Sequence, residues 1–186
     1  MVILRCRVLI VGDATVGKTS MVQTFINGPS GFPKNYAMTP GCEIFQKQVK
    51  LENSDKVVEF QIIDTGGQSI FKDIALDMFP RSNAVIFVYD VTSQESFRSL
   101  QYWIRAARDT LKESYFTGII VANKTDLNDR IRVEMQEGAS FANQNRFEFI
   151  EVSALKTQDV EVPFNRLAAI FARNYEDRVQ EVLRFS

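Results

Sequence analysis

The stretch Gly12-Asp13-Ala14-Thr15-Val16-Gly17-Lys18-Thr19 has the spacing G-x-x-x-x-G-K-[ST], which sets glycine, lysine and a hydroxyl where phosphate chemistry needs them. The glycines let the backbone close around phosphate oxygens, because no Cβ stands in the way. The loop amides and the start of the next helix supply donors and positive potential. Lys18 would reach the β- and γ-phosphates, and the Thr19 hydroxyl would ligate Mg²⁺. The bare pattern arises by chance in roughly 0.6% of chains this long. By itself the loop names neither the nucleotide nor whether it is hydrolysed.

The loop needs a strand before it and a helix after it, and the chain offers both. Val8-Leu9-Ile10-Val11 reads as a buried strand. After the loop, Met21, Val22, Phe25 and Ile26 share one helical face, and Asn27-Gly28-Pro29 stops that helix. Residues 28 to 42 are rich in Gly, Pro, Asn and Ser and read as a long loop, of the kind that is usually functional. Phe45, Lys47, Val49 and Leu51 then alternate with Gln46, Gln48 and Lys50, as on a half-exposed edge strand. A turn at 52 to 55 leads into the hairpin partner Val57–Ile63.

Beyond Asp64-Thr65-Gly66-Gly67-Gln68 the spacing predicts an irregular stretch and a short helix to about Phe79. Ala84–Tyr89 and Gly118–Ala122 are continuous apolar runs, as in inner parallel strands covered on both faces. Between them Phe97, Leu100, Ile104, Ala107 and Leu111 mark a helix, with Thr92 and Glu95 spaced as a capping box. A helix over 132–145, a strand over 147–152 and a last helix from about Glu161 complete the series. Pro163 suits that helix's first turn, and Phe164, Leu167, Phe171 and Tyr175 give its buried stripe. The alternation predicts a doubly wound, mostly parallel six-stranded α/β sheet with one antiparallel edge strand. The whole chain reads as one domain over residues 1 to 186.

Composition narrows the chemistry further. A net charge of −1 and a pI near 5.6 give no electrostatic reason for a nucleic-acid partner. No apolar run approaches the roughly 18 residues of a membrane span. No signal peptide is expected, because Met1-Val2-Ile3-Leu4-Arg5-Cys6 enters the first strand at once, and Val2 in place of glycine lacks the myristoylation pattern. The two cysteines, Cys6 and Cys42, lack metal-ligand spacing and fit a reducing compartment. With no histidine, histidine-based catalysis is excluded. Cys6 and Cys42 also lie far from the C-terminus, so no lipid anchor is expected there.

In open α/β sheets ligands sit beyond the C-terminal strand ends, and four motifs fall there. They are Gly12–Thr19, Asp64–Gln68, Asn123-Lys124-Thr125-Asp126 and Ser153-Ala154-Leu155. Each alone could be an ordinary turn or helix cap. Their joint order is what a turn reading leaves unexplained.

That order, with Thr39 between the first two, resembles the Ras superfamily of small GTPases over the whole chain, and so implies a P-loop small GTPase fold. Tyr89-Asp90-Val91-Thr92-Ser93-Gln94-Glu95-Ser96-Phe97 and Thr39-Pro40-Gly41 are similar to the Rab branch. Three segments resemble, more narrowly, the Rab-like GTPase subunits of intraflagellar transport complex B. They are Asn35–Thr39, Val121–Leu127 and Ala172–Val179.

The resemblance implies that Asp13, Ala14, Thr15, Val16, Gly17, Lys18, Thr19 and Ser20 hold the phosphates of GTP or GDP. Thr19, Thr39 and Asp64 are implied for Mg²⁺, Thr39 only when the γ-phosphate is present, and the Gly67 amide for that phosphate. A carboxylate at Asp126 accepts the two N–H donors of guanine, a pair adenine lacks. Asn123 tethers the loops, the Lys124 stem lies along the base, and the Ala154 amide, flanked by Ser153 and Leu155, meets the guanine oxygen. Phe32 stands where the family sets an aromatic against the base, although an ordinary core-packed loop aromatic is the plainer reading. Tyr36 is placed over the phosphates. Gln68 would orient the attacking water.

No arginine is evident for a cis arginine finger, so slow intrinsic hydrolysis is expected. Ala14, Gly66, Ile63 and Leu155 depart from commoner family residues, and Pro40 stiffens the segment beside Thr39. Four readings stand: a hydrolysing switch, a transport-complex subunit in which nucleotide supports the fold, a conventional vesicle-trafficking Rab, and a metabolic P-loop kinase, which the Asn123–Asp126 motif disfavours. The resemblance further implies a cytoplasmic protein of the cilium or flagellum. Its partner would be a small β-sandwich subunit of the transport train, docked on a final helix whose Tyr175, Val179 and Val182 outrun the domain.

Overall fold

The computed structural model describes residues 2–35, 37–52, 54–111 and 116–184. Its six strands form one sheet in the order β2-β3-β1-β4-β5-β6. These are β1 Val2–Val11, β2 Cys42–Lys50, β3 Lys56–Thr65, β4 Ala84–Asp90, β5 Thr117–Asn123 and β6 Glu148–Glu151. Only the edge strand β2 runs antiparallel, paired to β3. β1 pairs in parallel with β3 on one side and β4 on the other. The chain order reverses there, and the crevice at the C-terminal end of β1 is the ligand position of this fold.

The helices are α1 Lys18–Asn27, α2 Lys72–Met78, α3 Gln94–Leu111, α4 Met135–Gln144 and α5 Val162–Arg184. Alternation along β1 divides the core between them. Leu4, Cys6, Val8 and Ile10 face α1 and α5, where Met21, Val22, Phe164 and Leu167 are buried. Leu9 and Val11 face the other layer, with Ala75 of α2, Trp103 of α3 and Ala142 of α4. Phe25 of α1 stacks on Phe164 of α5 with centroids 3.8 Å apart. The Lys47 ammonium of β2 lies 4.2 Å from the Phe25 centroid, so this lysine covers the core with its stem and sits over a ring.

Four local expectations shift. Ser93 caps α3 in place of Thr92 and Glu95: its hydroxyl accepts the Ser96 amide at 3.2 Å, while Thr92 turns to Asp90. The helix expected over 132–145 begins at Met135, because the Arg132 and Val133 amides both donate to the Val91 carbonyl and hold the chain extended. The strand expected over 147–152 is shorter, Glu148–Glu151. Tyr175 leaves the buried stripe of α5 and is 47% exposed; Ala168 and Ala172 take the inward positions.

At about 1.5 Å per residue, the 23 residues of α5 span about 35 Å. Ala172 is its last buried residue, and 173–184 are exposed along the described helix. Asn174 still reaches Thr117 at 3.0 Å, and Glu176 pairs with Lys56 of β3. No helix among the described residues is long and apolar enough to cross a membrane.

Candidate nucleotide-binding site

Beyond the C-terminal strand ends opens a cleft of about 410 Å³, within the usual range for small-molecule sites. Residues from five separate loops line it: Ala14, Thr15, Gly17, Lys18, Thr19 and Ser20; Phe32 and Thr39; Gly67 and Gln68; Asn123, Lys124 and Asp126; and Ala154 and Leu155. Gln23, Pro33, Lys34, Ala37, Met38, Thr65 and Leu127 also line it, and none of them was singled out as a site residue from the sequence. Asp13, Val16, Asp64 and Ser153 stand behind the lining and act on it through hydrogen bonds. Tyr36 lies outside the described residues. Phe32 satisfies both of its readings, since it lines the cleft and packs against the core.

The phosphate end is built from backbone. Gly17 sits at φ 95°, and a Cβ there would lie 2.3 Å from the Asn123 amide nitrogen. Lys18 is buried, with Nζ 2.8 Å from both the Gly12 and Asp13 carbonyls. Burial pushes its ammonium down to about 8, against the raising influence of Asp64 and Asp13. A buried cation held only by carbonyls gains strongly from an incoming anion. Gly67 abuts the same loop, and a Cβ on it would stand 2.4 Å from the Ala14 nitrogen.

Beside Lys18, three oxygen groups from three segments meet. Thr19 Oγ1 donates to Asp64 Oδ2 and lies 2.7 Å from Thr39 Oγ1. With the Thr19 proton so committed, Thr39 is the donor between the two hydroxyls. Asp64 is fully buried, and its Oδ1 has no hydrogen-bond partner among the described residues. Burial pushes its carboxyl up to about 6, although Thr19 and Lys18 pull it down. An orphaned buried carboxylate oxygen flanked by two hydroxyls fits a small hard cation that takes its other ligands from phosphate and water. Among the described residues no cluster of three or more acidic, cysteine or histidine side chains could hold a metal alone. The Gly66 amide donates to the Gly41 carbonyl at 2.8 Å, which joins the Thr39 segment to the start of the Gln68 segment.

The base end is a set of ties between loops. Asn123 Nδ2 donates to the Val16 carbonyl at 2.8 Å, and its Oδ1 accepts the Ala154 amide at 3.2 Å. Ser153 Oγ donates to Asp126 Oδ1 at 2.5 Å, which aims the carboxylate. Thr125 Oγ1 donates to the Val152 carbonyl at 2.9 Å and pins the loop between them. Asp126 lines the cleft, and an ionised carboxylate there offers acceptors only, which suits a ligand with paired N–H donors.

Two side chains that serve this site escaped the motif reading. Asp90 pairs with Lys124 at 2.6 Å, and its signal was a charged residue closing a wholly apolar strand. Trp103 donates from Nε1 to Asp13 Oδ1 at 3.3 Å; a buried indole N–H must find an acceptor, and that was its signal.

Residues 7–173 match the Ras family. The intraflagellar transport protein 27 homolog of Trypanosoma brucei brucei is 34% identical over 98% of both chains. Intraflagellar transport protein 27 of Chlamydomonas reinhardtii is 37% identical over 95% of this chain and 88% of its own. The human Ras-related protein Rab-30 is 35% identical over 87% of this chain and 77% of its own. The Gly12–Thr19 loop, the Thr19, Thr39 and Asp64 cluster and the Asp126 carboxylate converge on one cleft in a sheet of this order, and the chain belongs to the Ras family, among its Rab-like small GTPases.

Proposed function

We propose that this chain is a Rab-like GTPase of intraflagellar transport that binds GTP and GDP with Mg²⁺, hydrolyses GTP slowly, and changes partner affinity with nucleotide state. The carrying observation is the meeting of Thr19, Thr39 and Asp64 beside Lys18, in the same cleft that Asp126 lines. Thr19, Thr39 and Asp64 would hold Mg²⁺ directly or through water. When bound, the metal neutralises charge on the β- and γ-phosphates.

The chain's own residues do the rest. Lys18 and the loop amides bind the phosphates, and Asp126 with the Ala154 amide selects guanine. Gln68, half-buried in the lining, orients water toward the γ-phosphate. No arginine stands among the described lining residues, so transition-state charge waits for a partner's group, and intrinsic hydrolysis is slow. Loss of the γ-phosphate removes a partner of Thr39 and Gly67. Because Gly66 and Gly41 are bonded, both segments loosen together.

The relatives' names place those proteins in intraflagellar transport, and their near-full-length similarity supports that setting for this chain. Its location is then the cytoplasm of the cilium or flagellum. The exposed end of α5, with Tyr175 and Val179, is the docking face for the small β-sandwich subunit and the rest of the train.

Gln68→Leu tests the switch. Single-turnover hydrolysis should fall at least about tenfold with GTP affinity nearly unchanged. Equal rates would leave nucleotide as a structural ligand and remove the enzyme reading.

A further inference from the structure

Asp90 ends β4 and Asn123 ends β5, and the two are partners in register. Lys124, the next residue, is therefore a diagonal neighbour of Asp90. Its backbone is left-handed, with φ 68°, an uncommon conformation for a residue with a side chain. Its Nζ lies 2.6 Å from Asp90 Oδ2. Asp90 is itself fixed: Oδ1 accepts the Thr92 amide at 2.8 Å and the Thr92 hydroxyl at 2.7 Å. The Asp90 side chain is only 10% exposed, whereas that of Lys124 is 31% exposed. Lys124 lines the nucleotide cleft and Asp90 does not.

A free lysine stem samples many rotamers, and ordering it against a base opposes binding. A stem tied at its far end is ordered before the base arrives. We infer that Asp90 is a positioning residue that holds Lys124 along the cleft wall and so sets how long the guanine nucleotide stays bound. Asp90 touches no nucleotide; it acts only through Lys124. The inference rests on the guanine-nucleotide reading of the cleft and names a residue that controls it. The competing role for Asp90 is purely structural, as the acceptor that shapes the Thr92 turn before α3.

The test is the dissociation rate of a fluorescent GDP derivative from the full chain, chased with excess GDP. Asp90→Asn keeps the size and the acceptor oxygen for Thr92 but removes the charge facing Lys124. It should speed release roughly tenfold, the scale of one charge-assisted contact. Lys124→Met keeps most of the stem, removes the ammonium, and should speed release by a similar factor. Asp90→Asn placed in the Lys124→Met background should then add less than about a twofold change. Equal acceleration by Asp90→Asn in both backgrounds would overturn the inference and leave Asp90 a turn-shaping residue. Should Asp90→Asn fail to fold, Lys124→Met decides alone, and an acceleration below about twofold overturns it. A wild-type chain that holds no guanine nucleotide would sink the underlying reading as well, and that result is distinct from the others.

Discussion

The indole N–H of Trp103, fully buried on α3, donates to the carboxylate of Asp13 in the phosphate loop at 3.3 Å. The loop is thereby fastened to the helix layer on one side, while Gly67 packs against Asp13 and Ala14 on the other. The Lys72 ammonium of α2 lies 4.8 Å from the Tyr102 ring and 6.0 Å from the Trp103 ring. The helix that follows Gln68 thus rests on an aromatic pair of which Trp103 holds the Gly12–Thr19 loop.

Trp103→Phe should therefore cost about 2 kcal/mol, from a lost donor and a small cavity. Denaturant unfolding of the GDP-bound protein, read as a midpoint shift at constant slope, measures it. An unchanged midpoint would mean that water replaces the indole without loss.

Asn123→Ala should do more damage than its size implies. It leaves the buried Val16 carbonyl without its donor and the Ala154 amide without its acceptor. Two buried hydrogen bonds lost together predict at least about a hundredfold weaker GDP binding, by competition titration. A loss below about tenfold would show that the loops hold their places without the tether.

The fold was legible because its strands are long apolar runs and its punctuation is strong. Val8–Val11, Ala84–Tyr89 and Asn27-Gly28-Pro29 left little room for another reading. The cleft was legible through the spacing of its glycines and of Asn123 to Asp126. What escaped was long-range. Asp13 and Trp103 are 90 residues apart, and no local pattern pairs a loop carboxylate with a helix indole. The α3 cap escaped for a nearer reason: Thr92 and Ser93 are both good caps, and the Asp90 carboxylate claims Thr92. Tyr175 was misplaced because periodicity marks a helix face, whereas burial requires a sheet beneath it, and α5 runs on past that cover.

The oxygen cluster predicts a nucleotide-dependent asymmetry. Thr19→Asn puts a bulkier amide where Asp64 and Thr39 meet. GTP should weaken more than GDP, because the metal that Thr19, Thr39 and Asp64 would hold would neutralise charge on the γ-phosphate as well as on the β-phosphate. Magnesium removal by chelation should reproduce that asymmetry in the wild type and add little to Thr19→Asn. Equal losses for the two nucleotides would remove Thr19 as a metal ligand.

Truncation after Ala172 separates the two ends of the molecule. Ala172 is the last buried residue of α5, so GDP binding should survive. Co-purification with the β-sandwich transport subunit should fail. Retained co-purification would move the docking face away from the end of α5.

If Asp126, aimed by Ser153, reads the base, the cleft should take guanine nucleotides ahead of adenine ones. Competition of GTP and ATP for the Mg²⁺-loaded protein, repeated with Asp126→Asn and xanthosine triphosphate, tests it most directly. GTP should be preferred over ATP by at least about a thousandfold, with the preference passing to the xanthine nucleotide in Asp126→Asn, whose amide donates where the carboxylate accepted. Comparable binding of ATP and GTP by the wild type would contradict it.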